Sequence, residues 1–176
     1  MSKIFGPVRQ LGHVVASLET AIDAWLAIGV GPFFRLDALK TNYFRIYGVD
    51  VVTHLDLAIA HSGDLQIELV CQRDEAPTPY RDFLLAHGSG LQHLGMYSTR
   101  FDEDTERYRA AGFRQVIEGE THVDESTAIR FCYFSPGFQP GTLIEVADAS
   151  GVMAEFNEIV RQASLDWDGS NPIRTF

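Results

Sequence analysis

Positive charge is scarce in this chain: 14 lysines and arginines stand against 24 aspartates and glutamates, for a net charge of −10. A field of that sign repels polyanions, and no Lys/Arg cluster offsets it locally, so no nucleic-acid partner is expected. Long apolar runs are missing too. Nothing approaches the roughly 18 to 20 residues that a membrane-spanning helix needs. The first residues, Met1-Ser2-Lys3-Ile4-Phe5-Gly6-Pro7, lack the apolar stretch of a signal peptide, so a cytoplasmic location is expected. Cysteine is rare. Cys71 and Cys132 both sit inside apolar strand patterns, and buried free thiols suit that compartment better than a disulfide. Neither a Walker-type phosphate loop nor a dinucleotide fingerprint is present. What remains is an ordinary globular composition, 45% hydrophobic and 22% charged, over 176 residues. That length suits one compact unit or two small modules sharing a core.

The sequence that is present repeats itself. Leu11-Gly12-His13-Val14-Val15 opens the first half and Leu91-Gln92-His93-Leu94-Gly95 the second. Each half closes on an apolar strand carrying a Glu: Gln66-Ile67-Glu68-Leu69-Val70, then Leu143-Ile144-Glu145-Val146-Ala147. In the first half, Leu18, Ile22, Trp25 and Leu26 follow helical spacing up to Gly29. Phe33 to Leu36 reads as a short strand. The stretch 51–60 alternates, with His54, Asp56 and Ala58 on one face. The pattern predicts βαβββ modules over 8–72 and 91–148. A connector helix spans 78–88, starting at Thr78-Pro79 and stopping at Gly88. A C-terminal helix and tail occupy 151–176, where Trp167 and Phe176 suggest that the tail docks. One such module leaves a sheet face bare. Two must therefore pair about a pseudo-twofold axis, giving an α+β fold with a cupped mixed β-sheet.

Pairing would bring a His and a Glu from each half together. Neutral imidazole and carboxylate are good ligands for divalent first-row metals. A carboxylate in the middle of an apolar strand is costly unless paired or ligated, and Glu68 and Glu145 both pose that problem. Strand parity puts Glu68 on a face with Gln66 and Val70, while Ile67, Leu69 and Cys71 face covering helices. The expected metal set is His13, Glu68, His93 and Glu145, holding one divalent ion (Zn, Ni, Co, Mn or Fe). His54 and Asp56 read either as proton shuttles in the cup or as a surface pair. Tyr97 shares strand parity with His93. With Phe33 and Phe34 it is a candidate lining for an apolar substrate pocket. His61, His87 and His122 border turns and are expected to face solvent.

These motifs resemble the vicinal oxygen chelate superfamily, which includes glyoxalases, methylmalonyl-CoA epimerases, fosfomycin-resistance proteins and extradiol dioxygenases. The resemblance covers about residues 8–148. It rests on the two His/Glu strands, on Tyr80-Arg81-Asp82-Phe83-Leu84 leading to Gly90-Leu91-Gln92-His93, and on Arg130 to Pro136 with Gly141 to Val146. It is nearest to the epimerase-like and glyoxalase-like members. It implies ligation by His13, His93 and Glu145, with Glu68 as fourth ligand; the epimerases usually carry Gln near that fourth place, and bacterial glyoxalase I carries Glu. It also implies a second base near His54 or Asp56, opposite Glu145. The implied function is a metal-dependent isomerase, epimerase or lyase working through a stabilised enolate of a small carbonyl or acyl-thioester substrate. A non-catalytic binding protein and a non-haem iron oxygenase are the alternatives. A homodimer is expected, and no membrane partner.

Overall fold

The computed structural model describes residues 6–122, 128–137 and 141–175. The first half holds β1 (Gln10–Val14), α1 (Leu18–Ala27), β2 (Phe33–Leu36), a hairpin of β3 (Thr41–Ile46) and β4 (Val49–Asp50), β5 (Leu55–Ser62) and β6 (Leu65–Gln72). The connector is α2 (Pro79–His87). The second half holds β7 (Gly90–Ser98), α3 (Phe101–Ala110), β8 (Arg114–His122), β9 (Ala128–Ser135) and β10 (Leu143–Asp148). It is followed by α4 (Val152–Ser164) and a short β11 (Ile173–Thr175). The starts of α1 and α2 follow from their caps. The Thr20 N–H donates to Ser17 Oγ at 3.2 Å, and the Arg81 N–H donates to Thr78 Oγ1 at 3.1 Å. α2 stops at Gly88, whose φ of 73° is left-handed backbone that a side chain would disfavour.

All eleven strands form one sheet, in the order β11-β2-β5-β6-β1-β7-β10-β9-β8-β3-β4. The run β1-β6-β5-β2 is repeated as β7-β10-β9-β8, and the repeats meet where β1 and β7 pair antiparallel. Across that seam Gln10 lies opposite Gly95 and Gly12 opposite His93. Exchanging the two strands turns the first pair into the second. The local dyad therefore equates Gln10 with His93 and Gly12 with Gly95. The parallel neighbours extend the match, because Gly12 pairs with Glu68 and Gly95 with Glu145.

The hairpin β3–β4 is an addition that the sequence pattern did not announce. It leaves the first module after β2 and pairs with β8, at the far edge of the second. Residues 37–40 alone cross between the two edges. At ~3.5 Å per residue the edges therefore face one another across a short gap, and the sheet curls without closing. The crossing is stitched to both sides. The Leu39 N–H donates to the Leu55 carbonyl at 2.8 Å, and the Lys40 carbonyl accepts from Thr121 Oγ1 at 2.8 Å. β3 escapes pattern reading because only Phe44 in it is fully buried. The tail does dock through its described residues, β11 pairing parallel with β2 and Trp167 packing so closely on Gly31 that a Cβ there would lie 2.7 Å from its ring, while Phe176 lies outside the described residues.

The outer face of the sheet is covered by α1 over Ala58, Ala60, Ile67, Leu69 and Cys71, and by α3 over Cys132, Phe134, Ile144 and Val146. The two cysteines are buried free thiols in separate clusters. The inner face carries Val14, Val70, Phe44, Phe131 and Tyr133, plugged at one end by Tyr80, Phe83 and Leu84 of α2. At the other end α4 seats Val160 and Phe156 on Phe34 and Ile59. Each fully buried aliphatic or aromatic side chain in such clusters stabilises by about 1.5–3 kcal/mol. His61 departs from expectation. It is buried in β5, not solvent-facing, and its Nε2 has no hydrogen-bond partner among the described residues. His87 is exposed as expected, and His122 is half-buried and hydrogen-bonded to Asn42.

Candidate metal centre

Glu68, His93 and Glu145 meet on the inner face, all three buried, with one donor atom of each lying within 4.8 Å of the others. His93 Nε2 is 3.1 Å from Glu68 Oε2 and 3.5 Å from Glu145 Oε2. Its other nitrogen, Nδ1, is 2.8 Å from Gln92 Oε1. An amide oxygen accepts there, so Nδ1 carries a proton and Nε2 is the atom turned to the carboxylates. That second hydrogen bond is the device which orients metal-binding imidazoles. Tyr133 stands edge-on to the His93 ring at 4.9 Å and hydrogen-bonds to Glu145.

His13 is not part of this group. In β1 the inward positions are Gln10, Gly12 and Val14, while Leu11 and His13 point to α1. The His13 ring lies edge-on to Trp25 of α1 at 5.4 Å, with Nδ1 3.2 Å from the Leu11 carbonyl. Burial lowers its proton affinity further. The residue that the dyad sets opposite His93 is Gln10. The glycines show how tight this arrangement is. A Cβ on Gly12 would sit 1.8 Å from His93 Nε2, and one on Gly95 would sit 2.3 Å from Gln10 Oε1. Both dyad-related glycines are bare because a dyad-related side chain passes over each. The sequence carries the right frame as Gln10-Leu11-Gly12 against His93-Leu94-Gly95. Matching His to His slips it by three residues.

Gln10 is held from behind. Its Nε2 donates to Gln66 Oε1 at 2.8 Å, and Gln66 Nε2 donates to Asn157 Oδ1 of α4 at 3.0 Å. Among the described residues this leaves Gln10 Oε1 buried with no hydrogen-bond partner, while Glu145 Oε2 makes no hydrogen bond and has His93 Nε2 3.5 Å away. Buried acceptors without donors are rare and call for a cation or a donor. The donor set is then an amide oxygen, two carboxylates and an imidazole nitrogen, which fits a divalent ion with open positions left over.

The electrostatics agree. Burial first, and then the Glu68 charge, push the Glu145 carboxyl up to about 7, against the pull of His93 and Tyr133. For His93, burial opposes the charged ring, yet the hydrogen bond to Glu68 and the charges of Glu145 and Glu68 outweigh it and raise its proton affinity. With no metal bound, protons are the cations this cluster gathers.

Above the floor formed by Gln10, Glu68 and Glu145 opens a cavity of roughly 190 Å³. Tyr97 lines it. Burial, then the charge of Glu145, raises the Tyr97 phenol well above its ordinary range, so it stays a neutral hydrogen-bond donor. Phe34 lies under α4 beside Ile59, and Phe33 is on the opposite face of β2, buried against α1. His54 and Asp56 do not reach the cup. His54 precedes β5, is largely exposed, and lies 3.8 Å from Asp74. Asp56 shares the outer face with Ala58, accepts from the Ala38 N–H at 2.8 Å and pairs with Arg73 at 3.0 Å. The cup face of that strand is Leu55, Leu57 and Ile59. Asp56 fixes the crossing segment in place.

The profile of the Glyoxalase/Bleomycin resistance protein/Dioxygenase superfamily matches residues 9–133, and the chain belongs to that superfamily. Among solved structures it is similar to the methylmalonyl-CoA epimerase of Mycobacterium tuberculosis, with a TM-score of 0.58 and 20% identity over 88% of this chain and 95% of that one. It is similar to a hypothetical protein of Bacillus halodurans C-125, with a TM-score of 0.55 and 14% identity over 82% and 95%. A Streptomyces coelicolor methylmalonyl-CoA epimerase, in complex with 2-nitronate-propionyl-CoA, gives 0.50 and 14% over 84% and 99%. At these identities the likeness speaks for the fold. No curated protein matches the chain by sequence. Among the described residues, no helix is long and apolar enough to cross a membrane.

Proposed function

We propose that the chain is a divalent-metal-dependent isomerase or epimerase, acting by proton transfer at a carbon next to a substrate carbonyl. The observation that carries this reading is the buried Glu68–His93–Glu145 group with the unpartnered Gln10 oxygen beside it, at the floor of a cavity. Gln10 Oε1, Glu68, His93 Nε2 and Glu145 would hold the ion. One Zn, Ni, Co, Mn or Fe ion bound there would supply Lewis-acid polarisation of the carbonyl.

The rest falls to the protein. Glu145 takes and returns the α-proton. Its affinity for that proton, near neutrality in the free site, is what a general base and acid working at ordinary pH requires. Glu68 is its dyad mate, and stands where a second carboxylate would serve the other face of a planar intermediate. It takes the role that the resemblance implied for His54 or Asp56, since the His54 side chain is exposed beside Asp74 and that of Asp56 pairs with Arg73, both outside the cup. Tyr97, held neutral, orients the substrate oxygen. The assembly is proposed to be a homodimer, as the superfamily resemblance implied.

Solvent deuterium exchange at the α-carbon of acyl-CoA and α-hydroxyketone candidates tests this, alongside elemental analysis. A Glu145→Gln protein that keeps its metal should exchange ~10² to 10⁴ times more slowly, the usual loss when a general base is removed. Unchanged exchange would refute the role of Glu145. A second reading, a non-catalytic small-molecule binder, is favoured by the aliphatic wall of the cavity. Tight ligand binding without any exchange would support it. The oxygenase reading loses ground because the group contains one imidazole among its donors, His13 being turned to α1.

A further inference from the structure

We infer that the cavity takes an uncharged carbonyl compound with a hydrocarbon body, and rejects molecules that carry a carboxylate or phosphate into it. What happens to the bound molecule rests on the proton-transfer reading above; the preference itself does not. The walls come from three sources and are largely apolar, with Leu57, Ile59 and Val70 from the first module, Phe131 from the second, and Met153 and Phe156 from α4, beside Thr121 and His122 of β8. Among the described residues that line the cavity there is no lysine and no arginine. Apart from phenols, the ionisable groups lining the cavity are the carboxyls of Glu68 and Glu145 and the imidazole of His122, which is hydrogen-bonded to Asn42. Of the arginines on the neighbouring strands, Arg73 pairs with Asp56 at 3.0 Å and Arg130 with Asp102 at 2.8 Å, while the exposed Arg9 acts electrostatically on the Tyr97 phenol without lining the cavity.

The charge count decides the chemistry. Two carboxylates offset a divalent ion, so the loaded floor has no positive charge left for a ligand anion beyond the oxygens it binds. Without the ion the floor is negative or proton-bridged. Either way a carboxylate placed against Leu57 or Phe131 would be buried without a partner, which is among the costliest desolvations. A malonyl-type thioester carries such a carboxylate next to its reacting carbon. A keto ester of the same shape does not. Its two carbonyl oxygens can meet the polar floor while its alkyl groups meet the wall and the underside of α4.

The test is a matched pair of probes: ethyl 2-methylacetoacetate, which is neutral, and monoethyl methylmalonate, which replaces one methyl by a carboxylate oxygen. Calorimetric titration at neutral pH, of the protein as purified and after loading with Mn²⁺, should show the neutral ester binding more tightly by at least about tenfold, because the carboxylate takes the place of the keto carbonyl and brings a third carboxyl to the floor beside Glu68 and Glu145, where no described lysine or arginine lines the cavity to pair with it. Leu57→Arg should narrow or invert that ratio. Leu36→Lys, on a half-exposed residue lining the same cavity, should do so in smaller measure and stands in if the first variant fails to fold. Equal or tighter binding of the monoanion to the wild type would overturn the inference. So would failure of the neutral ester to bind. Deuterium exchange separates the two ideas. Neutral preference without exchange keeps the ligand class and sinks the enzyme. Exchange on the monoanion alone keeps the enzyme and sinks the ligand class.

Discussion

In the first module the cup receives an amide and a carboxylate, Gln10 and Glu68. In the second it receives an imidazole and a carboxylate, His93 and Glu145. The backbone repeats closely enough that a dyad exchanges the two sets, down to the bare glycines beneath Gln10 and His93. The chemistry does not repeat. His93 is oriented from within its own module, by Gln92 at Nδ1 and by Tyr133 against the ring, and turns Nε2 across the seam to Glu68. Gln10 is locked through Gln66 to Asn157, and so to α4, outside both modules. The dyad puts Leu143 where the first module has Gln66, which closes that route in the second. A symmetric scaffold therefore gives one half a strong, internally fixed ligand and the other a weaker one that depends on the roof.

The largest effect should come from removing the imidazole. His93→Ala is expected to abolish stoichiometric metal by elemental analysis after chelation and reloading. His13→Ala should keep the wild-type metal content, since its ring belongs to the α1 contact. Equal metal loss in both would restore His13 to the site and remove Gln10 from it.

Next is the response of metal-free protein to pH. The Glu145 carboxyl, ordinarily near 4.5, is held at about 7 in the fold. The folded state thus keeps a proton that the unfolded chain has already lost, and stability falls as pH rises from the lower value through the higher. His93 acts in the same sense. Its folded affinity is raised above the ordinary 6.5, so its contribution is full below that pH and lost above it. Glu145 alone corresponds to a loss of up to about 3 kcal/mol across this window, at about 1.4 kcal/mol per decade. Denaturant melts between pH 5 and 8 should show the decline without metal. Metal, which binds the deprotonated groups, should reverse it increasingly as pH rises. A flat profile in chelated protein would mean that the two carboxylates do not share one buried site.

Much of this was legible in the chain. The caps at Thr78 and Gly88, the alternation around Glu68 and the paired Glu strands follow from local spacing, and local spacing fixes which face a strand buries. The errors share a cause as well. His13 was placed by matching one His motif to the other, and His54 and Asp56, read either as proton shuttles or as a surface pair, were drawn to the cup by the resemblance, while the chain sends these positions outward, toward α1 or the surface. Which face of a strand is the cup depends on where α1 lands, and that is tertiary information. The hairpin β3–β4 is paired with a strand far along the chain, and carries little apolar pattern of its own. Gln10 was missed because glutamine is seldom read as a ligand, although Gln10-Leu11-Gly12 repeats His93-Leu94-Gly95 once the frame is moved.

Making the halves alike sharpens the comparison. Gln10→His would give two dyad-related imidazoles over two dyad-related carboxylates. Nitrogen donors favour Zn, Ni and Co over Mn more than an amide oxygen does. The variant should shift competition between Zn and Mn toward Zn, read as the metal ratio after loading with an equal mixture. An unchanged ratio would show that residue 10 does not touch the ion.

The smallest effect should come from the roof. Asn157→Leu removes the acceptor for Gln66 Nε2 while keeping a side chain of similar size in a buried place on α4. Gln66 then loses the partner that fixes its amide, and Gln10 loses the one that aims Oε1 at the centre. Groups acting behind a ligand in this way typically cost 10- to 100-fold in metal affinity, and with an intact His93 the lower end, about tenfold, is expected. The control is Gln92→Leu, the corresponding group behind His93. It acts on the stronger ligand, and should cost more. If Asn157→Leu weakens metal binding as much as Gln92→Leu does, the two halves are equal partners. If it changes nothing, α4 covers the site without holding it.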